Sequence, residues 1–578
     1  MQSIENKRHS LAHLMAAAIV NIWPDAKPTI GPAVDNGFYY DFDFATPISD
    51  KDFKRIENKM REMIKKWGAF EQKFISIAEA KEMFAGNPYK LELIDGIEKA
   101  GEKVSIYTSG DFSDLCAGPH VADAKELNLD GLKLNKLAGA YWRGDENNKM
   151  LTRIYALAFE SKDDLTVYET MIAEAEKRDH RKLGKELGLF IFSDLIGPGL
   201  PIYTFKGNAI RKEIIKYSNE LQSTIGFQEV HTPNMNKAEL FKVSGHYEKY
   251  KEDMMKVVSN YSKEEYFLKP MNCPQHTQVY AAEKRSYRDL PIRIADFANL
   301  YRDERPGELN GLTRLRCFCQ DDGHAFCRED QIKQEFANVL GAVNKALTTY
   351  NMSYTVRLSL WDPTKPEKYL GDAEVWEKAQ KLLEEILIEN KVSYVIGVGE
   401  AALYGPKMDF ISTDALGRSW QISTIQLDLI MPKRFDLKYT DSDGQEKTPV
   451  MIHRALIGSP ERFLGILIEH YAGNFPTWLS PVQVKVIPVR ENHNEFAKKI
   501  SDTLKEAGVR VDFDDRDEGM GKKIRAGKNE RVPYMIVIGD KEIEENILTI
   551  ESRGGTQEKM SLADFVKKVT EEIKNRTN

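Results

Sequence analysis

Two alternating segments flank a polar, glycine-bearing turn in residues 298–324, and this pattern predicts a β-hairpin. Arg302 and Glu304 stand two residues apart in the first segment, as do Arg314 and Arg316 in the second. Side chains two positions apart share a face of a strand, so the hairpin would direct arginines and a carboxylate into one space. Arginine neutralises phosphate with a planar fork, and a carboxylate accepts from an adenine amino group, which favours nucleotide binding. A salt-bridged surface hairpin is the alternative, but it would not need the dense polar run that follows.

Two further segments accompany this hairpin. Residues 226–233 form a segment that ends in proline, and residues 458–468 carry Arg462 just after Gly-Ser-Pro-Glu. Together the three segments resemble motifs 1, 2 and 3 of the class II aminoacyl-tRNA synthetases, in that family's order. The resemblance implies an antiparallel-sheet catalytic core that uses ATP with Mg²⁺. It also implies a homodimer, because motif 1 belongs to the dimer interface in that family.

Length and composition set the class of molecule. The chain has 578 residues, which exceeds what one hydrophobic core usually supports, so we expect an α+β multidomain protein. Its longest apolar runs are too short to span a membrane, and the N-terminus is polar. Five cysteines in so long a chain do not suggest a disulfide framework, and the expected location is cytoplasmic. The net charge of −7 argues against an extended nucleic-acid coat but leaves room for local basic surfaces.

The chain divides into three expected domains. A charged helical stretch over 161–186 reads as a connector, and Pro-Thr-Trp-Leu-Ser-Pro at 476–481 reads as a linker. The resemblance assigns an N-terminal α+β editing domain with this connecting helix, a class II catalytic domain and a C-terminal α/β anticodon-binding domain. Their expected ranges are 1–182, 183–476 and 481–578. The small additional domain that usually precedes the editing region is expected to be absent.

Three residues dispersed around the motifs suggest a metal site. Cys273, His324 and His453 would give Zn²⁺ three ligands and leave a fourth position open. Residues so far apart in the sequence are weak evidence for a metal site when spacing is the only argument. Among class II enzymes, however, the chain resembles the threonyl-tRNA synthetases, and these residues match that family's three zinc positions, one zinc per subunit. His276 is close in sequence to Cys273 and is interpreted as structural.

The N-terminal region holds a second His and Cys pattern. His9 and His13 are one helical turn apart, and Cys116 and His120 have the same spacing. HxxxH with CxxxH could supply four metal ligands, although a surface histidine pair with a buried cysteine is the simpler interpretation. The pattern resembles the editing domain shared by threonyl- and alanyl-tRNA synthetases. That resemblance adds Lys90 and Asp114 to the editing pocket and leaves open whether water is activated by side chains or by a metal.

The resemblance also implies the remaining roles. L-threonine, ATP and tRNA(Thr) would be the substrates, and threonyl-adenylate the intermediate, with hydrolysis of mischarged seryl-tRNA(Thr). The expected catalytic residues are Arg302, Gln320, Lys407, Arg462 and His246. The expected ATP-binding residues are Arg302, Glu304, Arg314, Gln421 and Arg462. The expected amino-acid-binding residues are Asp322, Tyr404 and Gln426.

Some positions depart from the family pattern. Gln275, Ile422, Ser423 and Cys317 replace the residues usual in the pocket, which puts the rate in doubt. Glu551 stands where an arginine is usual, so Arg553 alone is assigned to the anticodon. A seryl- or prolyl-specific enzyme and a free-standing editing hydrolase are weaker alternatives. A catalytically inactive, synthetase-like RNA-binding protein is the main alternative, but it should have lost a motif or zinc residue, and all are present.

Overall fold

The computed structural model describes residues 3–414 and 418–577. Contacts divide the chain into two compact units, Met1–Ala173 and Glu174–Asn578. In the described parts of the chain, no helix is both long and apolar enough to cross a membrane. The helix Lys162–Arg178 contains the boundary between the units, and Asp179 then caps a separate helix, His180–Glu186. The single connecting helix predicted from the charged stretch is therefore two helices.

The first unit begins with the helix Ile4–Ile22, where the Ser3 side chain caps the N-terminus by accepting from Asn6 N–H. This helix packs on an antiparallel sheet, and its ten consecutive residues Ser10–Ile19 are all buried. The strands of that sheet are Lys27–Pro28, Ala33–Val34, Gly37–Asp43, Leu132–Tyr141 and Met150–Ala158. The helix and the strand Gly37–Asp43 are both buried over most of their length.

A smaller antiparallel sheet completes the first unit. Its strands are Glu71–Ile75, Val104–Ser109 and Phe112–Leu115. The other α-helices that lie wholly within the first unit are Phe53–Met63, Ile77–Met83 and Pro88–Ala100. Residues 118–121, which follow the strand Phe112–Leu115, form a loop. Gly118 has a φ of 78°, which is outside the strand region, and Pro119 has no N–H to donate to a ladder.

An eight-stranded sheet is the centre of the second unit. In spatial order its strands are Gln228–Glu229, Ile292–Tyr301, Cys317–Cys327, Val450–Ala455, Ser419–Asp428, Lys407–Thr413, Tyr354–Leu360 and Tyr394–Val398. Pairing is antiparallel except at the two edges. One face is buried under the helices Phe205–Thr224, Ile332–Thr349, Ala373–Glu389 and Pro460–His470. The other face is left for the polar side chains of the site.

Shorter elements surround this sheet. The helices are Ala238–Ser244, His246–Tyr250, Cys273–Ala281 and Met431–Arg434. The strands are Phe190–Ile191, Ile202–Tyr203, Met235–Lys237, Lys256–Val257, Tyr266–Leu268, Tyr439–Thr440 and Glu446–Lys447.

The C-terminal part of the second unit is a five-stranded mixed sheet with its own apolar core. In spatial order its strands are Val511–Phe513, Val484–Pro488, Tyr534–Ile538, Leu548–Ser552 and Gln557–Met560. Its helices are Asn494–Glu506, Met520–Asn529, Asp540–Glu545 and Leu562–Asn575. The alternation of strand and helix confirms the α/β prediction. The final hairpin, 548–560, was not predicted.

Candidate functional site

Two adjoining cavities of about 790 and 710 Å³ open over the polar face of the eight-stranded sheet. They share Arg302, Glu304, Gln320 and Arg314 as wall residues. The larger cavity also contains the following predicted residues: His246, Cys273, Asp322, His324, Tyr404, Lys407, Gln426 and His453. The smaller cavity adds Gln421 and Arg462. The structure therefore brings together all the residues that the sequence assigned to ATP, amino acid and zinc.

The hairpin itself differs from the prediction. The strands end at Tyr301 and begin again at Cys317, so Arg302, Glu304 and Arg314 lie in the connecting loop. Backbone pairing continues for one step, because Arg302 N–H donates to the Arg316 carbonyl oxygen at 2.9 Å, and the chain then separates. Arg302 and Arg314 still line the same cavities, but the loop conformation directs them there instead of the alternation of a strand.

Arg302 and Arg462 form the positive part of the site. Among the described residues neither makes an ion pair, and each lies over an aromatic ring: Arg302 over Phe318 at 5.1 Å and Arg462 over Trp420 at 5.7 Å. Burial and the neighbouring Arg302 lower the pKa of Arg462. Ser459 caps the helix Pro460–His470, which places Arg462 in its first turn. Two unpaired guanidinium groups beside a helix N-terminus suit a bound phosphate chain.

Glu304 is held by the returning side of the loop. Its Oε2 accepts from Arg314 Nε at 2.8 Å, and Arg314 also contacts Glu308 at 3.1 Å. The Arg316 guanidinium donates to the Glu304 carbonyl oxygen. The carboxylate therefore has a fixed direction and a second oxygen available for a ligand.

Cys273, His324 and His453 are all buried, and their ligand atoms lie within 4.8 Å of one another. His324 Nε2 is 3.0 Å from His453 Nδ1. Zn–N bonds of about 2.0–2.1 Å in a tetrahedral site need nitrogens at close to this spacing. Burial raises the pKa of the Cys273 thiol and lowers the pKa of His324. Zinc binding would therefore displace the thiol proton of Cys273. One cysteine and two histidines fit Zn²⁺ with one position left open.

Outer partners orient both histidines. His453 Nε2 lies 2.9 Å from Asp428 Oδ2, which as an acceptor fixes the proton on Nε2 and leaves Nδ1 for the metal. His324 Nδ1 lies 2.6 Å from His276 Nδ1. His276 is outside the three-residue cluster, and its contact with Nδ1 of His324 fixes the orientation of that imidazole ring.

The amino-acid side of the cavity is walled by Tyr404 and Gln426. The Tyr404 ring stacks on His453 with centroids 4.4 Å apart, and its hydroxyl donates to Gln426 Oε1 at 2.7 Å. A Cβ on Gly405 would lie 1.8 Å from the Leu427 carbonyl oxygen, so glycine is what lets this turn approach the sheet. His246 is buried nearby, and burial lowers its pKa to about 3.

A third group, Asp179, His180 and Glu469, also has the spacing of metal ligands. Both ring nitrogens of His180 are already occupied: Nδ1 bonds Glu469 at 2.7 Å and Nε2 accepts from Leu312 N–H at 3.0 Å. We interpret this group as a structural tie to the loop that carries Arg314.

The first unit holds the other His and Cys cluster beside a cavity of about 680 Å³. Cys116 Sγ lies 3.3 Å from both His9 Nε2 and His120 Nε2. The far nitrogen of His9 is bonded to the Pro119 carbonyl oxygen at 3.1 Å, which directs Nε2 towards the sulfur. Burial raises the pKa of Cys116 to about 11 and lowers that of His120 to about 2. His13 completes the cluster from the next turn of its helix.

Lys90 and Asp114 form a buried ion pair at 2.5 Å on the wall of the same cavity. Tyr40 belongs to a segment that resembles the editing domain, but it was not assigned to the pocket. Its hydroxyl donates to Asp114 and accepts from Lys90 at 3.4 Å. The contacts with Tyr40 restrict the side chains of this buried ion pair, so Lys90 and Asp114 have fixed positions beside the histidine cluster.

Four residues depart from the family pattern of the pocket, and the structure shows where each of them lies relative to the two cavities. Gln275 is buried and donates to the Pro233 carbonyl oxygen at 2.8 Å, away from the cavities. Ser423 donates to the Leu456 carbonyl oxygen, and Ile422 lines the smaller cavity. Cys317 begins the returning strand and is partly buried.

Arg553 lies where the C-terminal sheet meets the preceding linker. Its guanidinium donates to the carbonyl oxygens of Arg531 at 2.8 Å and Phe475 at 2.9 Å. Burial lowers its pKa to about 10. Glu551 pairs with Lys528 at 2.9 Å. The assignment of Arg553 to the anticodon stays a prediction, since these donors already have partners in the protein.

Three family models match the chain. Residues 256–471 match the tRNA synthetase class II core domain (G, H, P, S and T), and residues 483–572 match the anticodon binding domain. Residues 104–155 match the threonyl and alanyl tRNA synthetase second additional domain.

Relatives match along nearly the whole chain. A threonine–tRNA ligase from Rubrobacter xylanophilus is 46% identical over 573 residues, which is 98% of this chain and 89% of the relative. One from Thermotoga maritima is 44% identical over 98% of this chain and 88% of the relative. Among solved structures, the RNA binding domain of threonyl-tRNA synthetase from Cryptosporidium parvum Iowa II has a TM-score of 0.65 and 36% identity, covering 68% of this chain and 98% of that one.

Proposed function

This chain belongs to the threonine–tRNA ligase family of class II aminoacyl-tRNA synthetases, and on that basis we propose that it charges tRNA(Thr) through threonyl-adenylate and hydrolyses mischarged seryl-tRNA(Thr). One observation carries the proposal: a buried Cys, His and His cluster adjoins a pair of unpaired arginines in one cavity system. The first group suits an amino acid with a hydroxyl, and the second suits ATP.

In the activation step, a carboxylate oxygen of threonine attacks the α-phosphorus of ATP, and the bond to pyrophosphate breaks. Charge develops on the phosphate oxygens, so fixed positive groups stabilise the transition state. Arg302 would hold the α-phosphate and Arg462 the γ-phosphate, with Mg²⁺ bound to ATP. Gln320 and Lys407 would contact the carboxylate and the α-phosphate from the sheet. Glu304 would accept from the adenine amino group through its free oxygen.

Cys273, His324 and His453 would hold one Zn²⁺ per subunit, which would coordinate the amino and β-hydroxyl groups of threonine. Valine has no hydroxyl, and a site built to engage one can reject its absence by roughly 10⁴–10⁵. Asp322, Tyr404 and Gln426 would position the amino group. Serine keeps both groups and lacks only a methyl, worth about 1–3 kcal/mol, so a second selection step is required.

Pyrophosphate exchange tests this proposal directly. We expect zinc-dependent exchange with threonine, weaker exchange with serine and negligible exchange with valine, measured on zinc-replete and zinc-stripped protein. Absence of exchange with all three in the replete protein would refute the synthetase mechanism. It would favour the alternative, a catalytically inactive synthetase-like RNA-binding protein.

The second selection step is assigned to the cluster in the first unit. His9, His13, Cys116 and His120 would surround the seryl ester, with Lys90 and Asp114 beside them. The histidines stay neutral at physiological pH, because burial lowers the pKa of His9, His13 and His120. His120, with a pKa of about 2, and His13, with a pKa well below its usual value, are too weakly basic to take a proton from water, so His9 is the proposed general base.

We expect His9→Ala to slow hydrolysis of seryl-tRNA(Thr) by about 10²-fold, the lower range of general acid–base contributions. His9 is half-buried at the cavity wall, so its removal leaves little strain. Release of labelled serine from tRNA measures the effect. Threonine-dependent pyrophosphate exchange by the same variant is the internal control and should stay unchanged. Hydrolysis at the wild-type rate would remove His9 from the editing site.

The remaining assignments follow the family. We propose an editing domain at 1–182, a catalytic domain at 183–476 and an anticodon-binding domain at 481–578. A homodimer is supported by the edge position of Gln228–Glu229 and by exposed apolar residues at Ile191, Leu195 and Phe205. Five free cysteines are consistent with a cytoplasmic location.

A further inference from the structure

Asp409 is a fully buried carboxylate under the floor of the catalytic cavities, with 0% of its surface exposed. It lies on the strand Lys407–Thr413, whose alternate residues Met408 and Phe410 pack into the apolar core. Lys407 and Asp409 therefore share the polar face of the sheet. Lys407 lines the larger cavity, whereas Asp409 lines neither, so any effect of Asp409 must pass through its neighbours.

Five side chains donate to this one carboxylate. Oδ1 accepts from Gln421 Nε2 at 2.8 Å and Thr424 Oγ1 at 3.1 Å. Oδ2 accepts from Lys407 Nζ at 2.7 Å, Ser359 Oγ at 2.8 Å and Arg357 Nη2 at 3.0 Å. The carboxylate thus accepts hydrogen bonds from two cationic side chains and three neutral ones. These bonds offset the free-energy cost of removing the carboxylate from water.

A β-bulge brings Gln421 into this set. Asp409 is directly opposite Thr424, and Phe410 is opposite Ser423, but Ile411 is opposite Gln421. Ile422 is therefore the extra residue of the bulge. If the strand kept all its residues but paired without a bulge, Gln421 would stand three positions from Thr424 and would face the opposite side of the sheet. With the bulge, both side chains reach the same oxygen of Asp409.

We propose that Asp409 is a positioning residue for adenylate formation, which holds the Lys407 ammonium and the Gln421 amide at the ATP side of the cavity. This inference rests on the proposed function and deepens it. An ionised carboxylate only accepts hydrogen bonds, so Gln421 must turn its NH₂ towards Asp409. Its carbonyl oxygen is then directed to the ligand, where it accepts from a donor such as a ribose hydroxyl.

Asp409→Asn tests the proposal. Asparagine keeps the shape, but in either orientation its NH₂ faces donors: Gln421 and Thr424 on one side, or Lys407, Ser359 and Arg357 on the other. We expect the kcat of threonine-dependent pyrophosphate exchange to fall on the order of 10²-fold, as misplacement of reacting groups by about 1 Å does. The KM for threonine should change by a smaller factor than kcat, because the three zinc ligands are unchanged and only the Lys407 contact to the threonine carboxylate is displaced.

A rapid-quench measurement of the adenylate burst separates positioning from loss of folded protein. Mispositioned groups lower the burst rate and leave its amplitude near one per active site, whereas partial unfolding lowers the amplitude and leaves the rate. Ser359→Ala is the matched control, since it removes one bond to the same carboxylate from a residue that lines neither cavity. We expect its burst rate to stay within about threefold of wild type.

A slow burst of full amplitude in Asp409→Asn, with a normal burst in Ser359→Ala, supports the inference. A wild-type burst rate in Asp409→Asn, with full or reduced amplitude, overturns it. Failure of the wild-type protein to form adenylate would instead contradict the proposed function, so the two failures are distinguishable.

Discussion

Arg302→Ala should lower threonine-dependent pyrophosphate exchange by roughly 10²–10³-fold, the cost of removing one preorganised donor from a developing oxyanion. In the described structure Arg302 has no carboxylate partner, and it faces the same cavity as Arg462. No carboxylate of the described protein neutralises the guanidinium of Arg302, so its charge would be available to the α-phosphate. The loss should appear mainly in kcat, because the phosphate gains charge in the transition state.

Two companion variants sharpen this test. Arg302→Lys keeps the charge but loses the planar fork, so we expect it to recover only part of the rate. Arg288→Ala removes an exposed arginine of the same unit and should leave exchange unchanged. If Arg302→Ala exchanged at the wild-type rate, the phosphate site would have to lie elsewhere.

His324→Ala should reduce bound zinc from about one per chain to near zero and lower threonine-dependent exchange by more than about 10²-fold. Loss of an outer-shell partner alone costs about 10–100-fold, and His324 contributes a ligand atom itself. Two ligands, Cys273 and His453, would remain in a site that needs three from the protein. Atomic absorption on dialysed protein gives the metal content, and exchange gives the activity.

His470→Ala is the matched control, because His470 is a partly exposed histidine of the same unit that belongs to none of the possible metal clusters among the described residues. It should keep both zinc and exchange. Stoichiometric zinc in His324→Ala would place the metal at another cluster, and the four-residue group around Cys116 would be the first to examine.

Sequence patterns predicted the parts of this protein in which spacing alone determines geometry. The sequence predicted an α/β domain after residue 481, and strands alternate with helices there in the structure. The HxxxH spacing put His9 and His13 on one helix face, and the structure places both in one cluster with Cys116. In these cases each residue's position depends on its own element.

Features that depend on pairing between distant elements were not predictable in the same way. Asp409 has no signal in a single sequence, since its partners come from three strands and from a bulge. Arg302 and Glu304 were expected on a strand, but hairpin pairing ends at Tyr301 and a loop presents them. The sequence could not show that the donors of Arg553 are occupied by the backbone carbonyl oxygens of Arg531 and Phe475. Each of these facts is a property of the assembled sheet or linker.

The bulge at Ile422 decides which face of the eight-stranded sheet the start of its strand presents. Ser423 and Thr424 pair in one register, and Gln421 pairs in a register shifted by the one extra residue. If the strand kept all its residues but paired without the bulge, Gln421 would stand three positions from Thr424 in plain alternation and would turn towards the apolar core. Deletion of Ile422 would instead bring Gln421 to two positions from Thr424 and keep both side chains on the polar face. The contact of Gln421 with Asp409 is therefore lost by a change that removes the bulge and keeps its residue, whereas loss of the residue itself preserves the face.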